Sequence, residues 1–232
     1  MAMRVVQPEG ARGSLKWIQR AVNERWQSLE DPIKSVLGPY DIEWLSPLCS
    51  DSYAEYRDGS FLDRIGHVEL SGDLKSFWPA RGPQWDALGR TAKGDVLLVE
   101  AKAHVREPLS PGTAAGDTSR ARIEEALYKV ATGLGARADR AAWTHHFYQL
   151  ANRIAHLDFL RSQGVPAWLV LVNFVGDEEM GGPSSREVWD ATYLVAFHVM
   201  GLPRLHRLAP FLVHAYPDVR GGEIGYAESG HS

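Results

Sequence analysis

At 232 residues the chain is long enough for one generous domain or a core domain with insertions, and a 44% apolar share with eight tryptophans can build a real core. The single cysteine, Cys49, excludes a disulfide framework and a Cys-based zinc site and reads as a small buried hydrophobe, while a formal net charge of −4 argues against a protein that coats nucleic acid non-specifically. No apolar run is long enough to span a bilayer and the opening MAMRVVQPEGARG carries no apolar signal region, so a cytoplasmic protein with no membrane partner is expected.

In chain order, residues 14–29 predict an amphipathic helix: Ser14 suits the N-cap, and Leu15, Ile18, Val22, Trp26 and Leu29 recur at helical spacing. Pro32, Pro39 and Pro47 break the next segment, with a short strand expected at 41–45. Residues 51–66 are acidic and aromatic, and Glu55, Asp58 and Asp63 there are candidates to supplement a metal site, although a solvated loop face is the plainer account. A rigid Pro- and Gly-bearing approach leads into residues 84–104, QWDALGRTAKGDVLLVEAKAH, a β-hairpin by pattern. Its second arm, Val96-Leu97-Leu98-Val99, reads as a buried central strand. After a loop at 107–117, helices are predicted over 118–134 and 142–162, then an apolar strand over 167–175. Strand, helices and strand in that order imply a right-handed crossover between parallel neighbours. Ser184 and Glu187 form a capping-box pattern for a helix ending near Gly201, and 211–216 reads as a last strand near a sheet edge. The polar tail is expected to be disordered at its end.

The hairpin carries the chemistry. Side chains alternate along a strand, so Glu100 and Lys102 share a face. A turn centred near Ala92 puts Asp86 on that face too, diagonal to Glu100. Charges at the mouth of an apolar strand are costly unless paired or given a ligand, and two adjacent carboxylates suit a hard divalent cation. A neighbouring lysine would then steady an attacking water or growing phosphate charge. A plain Glu–Lys surface pair, with Asp86 flanking the turn, accounts equally well for the spacing alone.

Asp86, Glu100-Ala101-Lys102 and the apolar run before them resemble the core of the PD-(D/E)XK nuclease superfamily, the restriction-endonuclease-like fold. Trp85-Asp86-Ala87 stands where that family has its Pro-Asp, and the proline is absent. The resemblance implies an α/β fold with a restriction-endonuclease-like core: a central mixed sheet flanked by helices. One domain is expected, with an N-terminal helix at 14–29, a candidate insertion at 41–75, a catalytic core at 76–175 and a C-terminal helix and strand at 184–216. It also implies Mg²⁺ or Mn²⁺ held by Asp86, Glu100 and the Ala101 backbone carbonyl, with Lys102 acting on the water, and a nucleic-acid substrate, DNA by expectation. Family members open with a helix that sometimes bears an extra acid, for which Glu24 is the candidate. They often carry a polar helix motif after the catalytic strand, matched here by Gln149, Asn152 and Arg153. His104, two beyond Lys102, is an accessory candidate, although a hydrogen-bonded strand-end histidine is the plainer account. A basic face has only scattered sources: Arg120 and Arg122, Arg137 and Arg140, Arg204 and Arg207. A homodimer is open, as is an inactive nucleic-acid-binding or scaffold protein on the same frame.

Overall fold

In a computed structural model of the chain, the described residues are 3–137 and 140–221, so the tail expectation lies outside them. In chain order the elements begin with β1 (Met3–Val5), α1 (Gly13–Asn23), α2 (Gln27–Leu37), β2 (Ile42–Ser46), β3 (Glu55–Arg57), α3 (Gly59–Ile65) and α4 (Ser71–Phe77). They continue with β4 (Ala87–Thr91), β5 (Val96–Lys102), α5 (Asp117–Gly133), α6 (Tyr148–Ser162), β6 (Ala167–Asn173), α7 (Arg186–Val199) and β7 (Leu212–Ala215). The result is an α/β fold around a mixed sheet of order β2-β4-β5-β6-β7. The first three strands are antiparallel neighbours, and β5, β6 and β7 run parallel. The expected crossover from β5 to β6 and the edge placement of β7 are both observed. β1 and β3 form a separate small antiparallel pair.

Alternation along β5 divides the core in two. Leu97, Val99 and Ala101 pack with Ile18, Ala21 and Val22 of α1 and with Leu29 and Ile33 of α2. Val96 and Leu98 face the other way, into the layer that holds Ile123 and Leu127 of α5 and Leu150, Ile154 and Leu157 of α6. Glu100 and Lys102 have the parity of Val96 and Leu98, so they lie on the α6 side of the sheet.

Several expected elements are modified. The helix over 14–29 is two helices, α1 and α2, because Arg25 takes a left-handed conformation (φ 59°) and Trp26 is extended. Arg25 is held there by Nη1 donating to the Ile42 carbonyl at 2.5 Å and by an ion pair with Glu30 at 2.8 Å. Trp26 is fully buried on the far side of this turn, so the inward placement that its spacing predicts is kept although the helix is interrupted. Pro32 does not break the segment but sits inside α2. The helix over 142–162 starts with a π-turn, Ala142–His146, and resets at Phe147 before α6. Ser185 rather than Ser184 precedes α7. Cys49 is exposed, not buried.

Candidate active site

The site forms where β4 parts from β5. The ladder between them ends at Ala87↔Val99. One residue earlier the chain changes partner: the Trp85 amide donates to the Tyr56 carbonyl of β3 at 3.1 Å. Asp86 straddles the change, and its Oδ2 accepts the Ala101 amide at 2.7 Å, replacing the lost ladder bond. Extended by one step, the observed register places Asp86 directly opposite Glu100, rather than diagonal to it. The turn is centred on Lys93, since Thr91 pairs with Asp95 through the Thr91 amide at 2.9 Å and through Oγ1 to Oδ2 at 2.9 Å.

The two peptide groups of one strand residue point to the same edge, and those of the next residue to the other. The Lys102 carbonyl accepts the Phe174 amide next to β6 at 2.8 Å. The Ala101 amide and carbonyl therefore both face the β4 side, towards Asp86, where β4 no longer supplies a partner. The expected role of that carbonyl thus has a geometric basis.

Glu100 and Lys102 are buried, and Asp86 keeps part of its surface accessible. Glu100 Oε1 meets Lys102 Nζ at 2.6 Å, and Oε2 meets Arg153 Nε at 2.5 Å. Arg153 is itself buried, with Nη2 on the Gln84 carbonyl at 2.8 Å, Nη1 on Asn152 Oδ1 at 2.9 Å and its guanidinium 4.9 Å from the Trp85 ring centre. Lys102 Nζ also donates to Gln149 Oε1 at 3.2 Å. Gln149, Asn152 and Arg153 thus converge on the strand end from α6, as their helical spacing predicts.

The electrostatics follow from burial. Burial drives the Asp86 carboxyl up to about 8, with the neighbouring Glu100 and Glu55 charges adding to the rise and Lys102 opposing it. Burial also works to raise Glu100, but Arg153 and Lys102 outweigh it and hold the carboxyl below its ordinary range. For Lys102, burial favours losing the proton, and the Glu100 and Asp86 charges more than offset that and hold its pKa above the ordinary value.

Glu55 is the residue that the plainer sequence reading, a solvated loop face, misplaces. It is buried in β3, not on a solvated loop; its Oε2 accepts Gln7 Nε2 at 2.9 Å and also Gln84 Nε2. Burial raises its carboxyl, which the two amides and Arg153 resist. The switch of Trp85 from β5 to β3 is what draws Glu55 towards Asp86 and Glu100. A three-residue strand leaves no periodicity from which to foresee this.

Two accessory candidates lie elsewhere. Glu24 ends α1, exposed, paired with Arg20 at 2.9 Å and accepting Trp26 Nε1 at 2.8 Å. Since α1 covers the opposite face of β5, Glu24 cannot join the cluster. His104 lies past the end of β5 in a turn, where its Nδ1 accepts the Arg106 amide at 2.9 Å, so strand alternation no longer directs it. The basic candidates are also dispersed: Arg207 pairs with Asp158, Arg140 stacks 4.2 Å from the Tyr128 ring centre, and Arg122 Nη2 donates to the Lys75 carbonyl at 2.7 Å. Asp177 accepts Trp17 Nε1 at 2.7 Å, which ties the loop after β6 to α1.

Among the described residues no group of three or more His, Cys, Asp or Glu side chains is arranged to hold a metal ion. The donor set at the strand end is of another kind: two carboxylates and a strand carbonyl, all oxygen. That chemistry suits Mg²⁺, which often takes one or two carboxylates and keeps several waters. Neighbouring buried carboxylates that raise Asp86 form the negative potential a cation would relieve.

No protein-family model, curated protein or solved structure matches the chain. Among the described residues, no helix is long and apolar enough to cross a membrane.

Proposed function

We propose that the chain is a divalent-metal-dependent nuclease of the PD-(D/E)XK type, hydrolysing phosphodiester bonds with DNA as the expected substrate. The observation that carries this reading is the parting of β4 from β5. There Asp86 lies opposite Glu100, Lys102 follows on the same face, and the Ala101 carbonyl is directed towards them. The order of elements supports it: an opening helix, an antiparallel hairpin, a crossover helix bearing Gln149 and Arg153, and a parallel strand accord with a restriction-endonuclease-like core.

Asp86, Glu100 and the Ala101 carbonyl would hold Mg²⁺ or Mn²⁺, with Glu55 close behind them. When bound, such a cation would supply an acidified water and offset charge growing on the phosphate. Lys102, fixed by Glu100 and Gln149, orients that water and donates towards the developing negative charge. Arg153 acts as a planar donor that turns from Glu100 Oε2 to a phosphate oxygen, a geometry a lysine cannot reproduce.

One observation favours a second reading, an inactive nucleic-acid-binding or scaffold protein: both oxygens of Glu100 are already taken by Lys102 and Arg153. The two readings separate on linear, nicked, single-stranded and flapped DNA incubated with Mg²⁺ or Mn²⁺. Cutting that needs the metal and is lost in Lys102→Ala and in Asp86→Ala supports the enzyme. Absence of cutting together with absence of calorimetric Mn²⁺ binding overturns it and leaves the binding module.

A further inference from the structure

A cavity of about 500 Å³ lies behind the candidate active site, between α3, α4 and α6. That volume is in the range of sites for small organic ligands. Leu74 and Trp78 provide apolar wall, and His156 of α6 is almost fully buried at its floor. The His156 Nδ1 lies 2.8 Å from the Asn152 carbonyl, so Nδ1 carries the proton and Nε2 is left as an acceptor. Among the described residues no hydrogen bond reaches Nε2, and because the ring lines the cavity this acceptor is open to a donor placed there. Burial holds the ring neutral, which keeps the acceptor available. At the rim stand two cations, Lys75 and Arg122, and two acids, Asp58 and Asp63.

The mouth is built with backbone strain. Asp58 (φ 53°) and Arg81 (φ 68°) both hold positive φ, and the Asp58 carboxylate locks them by accepting the Arg81 amide at 3.1 Å and the Gly82 amide at 2.9 Å. Gly82 lies close to the floor: a Cβ there would stand a tight 3.3 Å from Asp58 Oδ1 and in ordinary contact, 3.4 and 3.5 Å, with His156 Nε2 and Trp78 Cδ1. Trp85 separates the cavity from the strand-end cluster, with its ring centre 4.9 Å from the Arg153 guanidinium on one side and 6.3 Å from the His156 ring on the other. His156 follows Arg153 by one turn of the same helix.

We infer that this cavity is a nucleotide-base pocket. It takes a base bearing an exocyclic amine, which donates to His156 Nε2, while Lys75 and Arg122 meet the attached phosphate. A neutral acceptor on an apolar floor, with Lys75 and Arg122 at the rim beside Asp63 and an Asp58 carboxylate already engaged by the Arg81 and Gly82 amides, matches a heteroaromatic head with an anionic tail directed to the two cations. It does not match a wholly charged ligand. Two sources share this chemistry: a free nucleotide, or a base extruded from a nucleic-acid chain whose phosphate lies at the neighbouring cluster. Only the second source rests on the proposed nuclease reading.

The test is calorimetric titration of the full chain with adenosine monophosphate in EDTA. Saturable binding is expected, weakened about tenfold when the ligand is purine riboside monophosphate, which lacks the amine. His156→Met should lower affinity for adenosine monophosphate to a similar degree and erase the difference between the two ligands. Arg122→Ala, an exposed change that leaves the core intact, should weaken adenosine monophosphate but not adenosine. Lys102→Ala and Asp86→Ala should bind as the wild type does, so failure of the nuclease reading does not imitate failure here. Duplex DNA carrying fluorescent aminopurine then distinguishes the sources: emission that rises on binding marks an extruded base, and unchanged emission marks a free-nucleotide site. The inference is overturned if adenosine, cytidine and guanosine monophosphates all fail to bind at millimolar concentration. Equal binding with and without the amine, or indifference to Arg122→Ala and His156→Met together, also overturns it.

Discussion

Replacing Arg153 by methionine is the most informative perturbation of the site, because three partners depend on one buried guanidinium. Arg153→Met would leave Glu100 Oε2 without its 2.5 Å partner, and the Gln84 carbonyl and Asn152 Oδ1 without donors at 2.8 and 2.9 Å. Breaking one side of a buried ion pair costs about 3–5 kcal/mol, chiefly because the remaining charge is stranded in low dielectric. The methionine stem keeps most of the packing against Trp85, so the loss is electrostatic rather than a cavity effect. Glu100→Gln should cost about 2–3 kcal/mol by the same argument, because it leaves Lys102 and Arg153 partly uncompensated. The double variant removes both charges, and should be more stable than the sum of the single losses predicts by about 2 kcal/mol. Urea unfolding of the four proteins, at one pH and with constant m-values, measures the coupling. Additive losses, or a loss below about 1 kcal/mol for Arg153→Met, would refute the view that Glu100 is held by Arg153 in the free protein.

Other perturbations test separate parts of the argument. Glu55→Gln should leave the fold within about 1 kcal/mol of wild type, since the amide oxygen still accepts from Gln7 and Gln84, yet weaken Mn²⁺ binding about tenfold by calorimetry. Asp86→Asn should keep the Ala101 contact and a cooperative melt while abolishing metal-dependent cutting; retained cutting would remove Asp86 from the chemistry. His156 sits among Phe61, Phe77, Trp78 and Trp85, and burial pushes its pKa down to about 3. Below the ordinary value of about 6.5 the unfolded chain takes a proton that the folded ring refuses. Stability should then fall by up to about 1.4 kcal/mol per pH unit from this group as the pH drops from 6.5 towards 3. The pH dependence of unfolding should flatten in His156→Met; an unchanged slope would show that the ring is protonated in the fold. Leu98→Ala, at a fully buried position of β5, should cost about 2–5 kcal/mol in the same urea assay.

Local periodicity makes part of the site legible in the sequence, and the rest depends on partners distant along the chain. Strand alternation places Glu100 and Lys102 on one face, and helical spacing places Gln149 and Arg153 on one surface; the structure brings both pairs together. The position of Asp86 differs from expectation by one step because it depends on the turn. There the Thr91–Asp95 side-chain bond and a positive φ at Gly94 lengthen the connection and move its centre to Lys93. Glu24 illustrates a different limit. Helical pattern makes α1 amphipathic but cannot say which face of the sheet it covers, and it covers the face away from Glu100. Placing Glu55 requires knowing that Trp85 abandons β5 for Tyr56, a tertiary choice with no signature in three residues.

The charges at the strand end bear on how catalysis could coexist with the Glu100–Arg153 contact. Glu55, Asp86 and Glu100 supply three carboxyls against the two cations Lys102 and Arg153. With all of them ionised the cluster would carry one surplus negative charge in a poorly hydrated place, and Asp86 escapes that by keeping its proton up to a pKa of about 8. Under the proposed chemistry, loss of that proton to a divalent cation would turn the surplus into one positive charge. A single phosphodiester anion is what such a site attracts, and an arriving phosphate competes with Glu100 for the guanidinium. The pairing in the free protein then serves as a resting state in which no buried charge stands alone. Cation and phosphate together, rather than either alone, would release Arg153. Cooperative binding is the consequence: Mn²⁺ affinity should rise about tenfold in the presence of a non-cleavable phosphorothioate DNA. In Arg153→Met that enhancement should vanish, while the intrinsic Mn²⁺ affinity of the free protein should increase, since Glu100 no longer has to exchange partners. Equal Mn²⁺ affinity with and without DNA in the wild type would refute the linkage and favour the inactive scaffold.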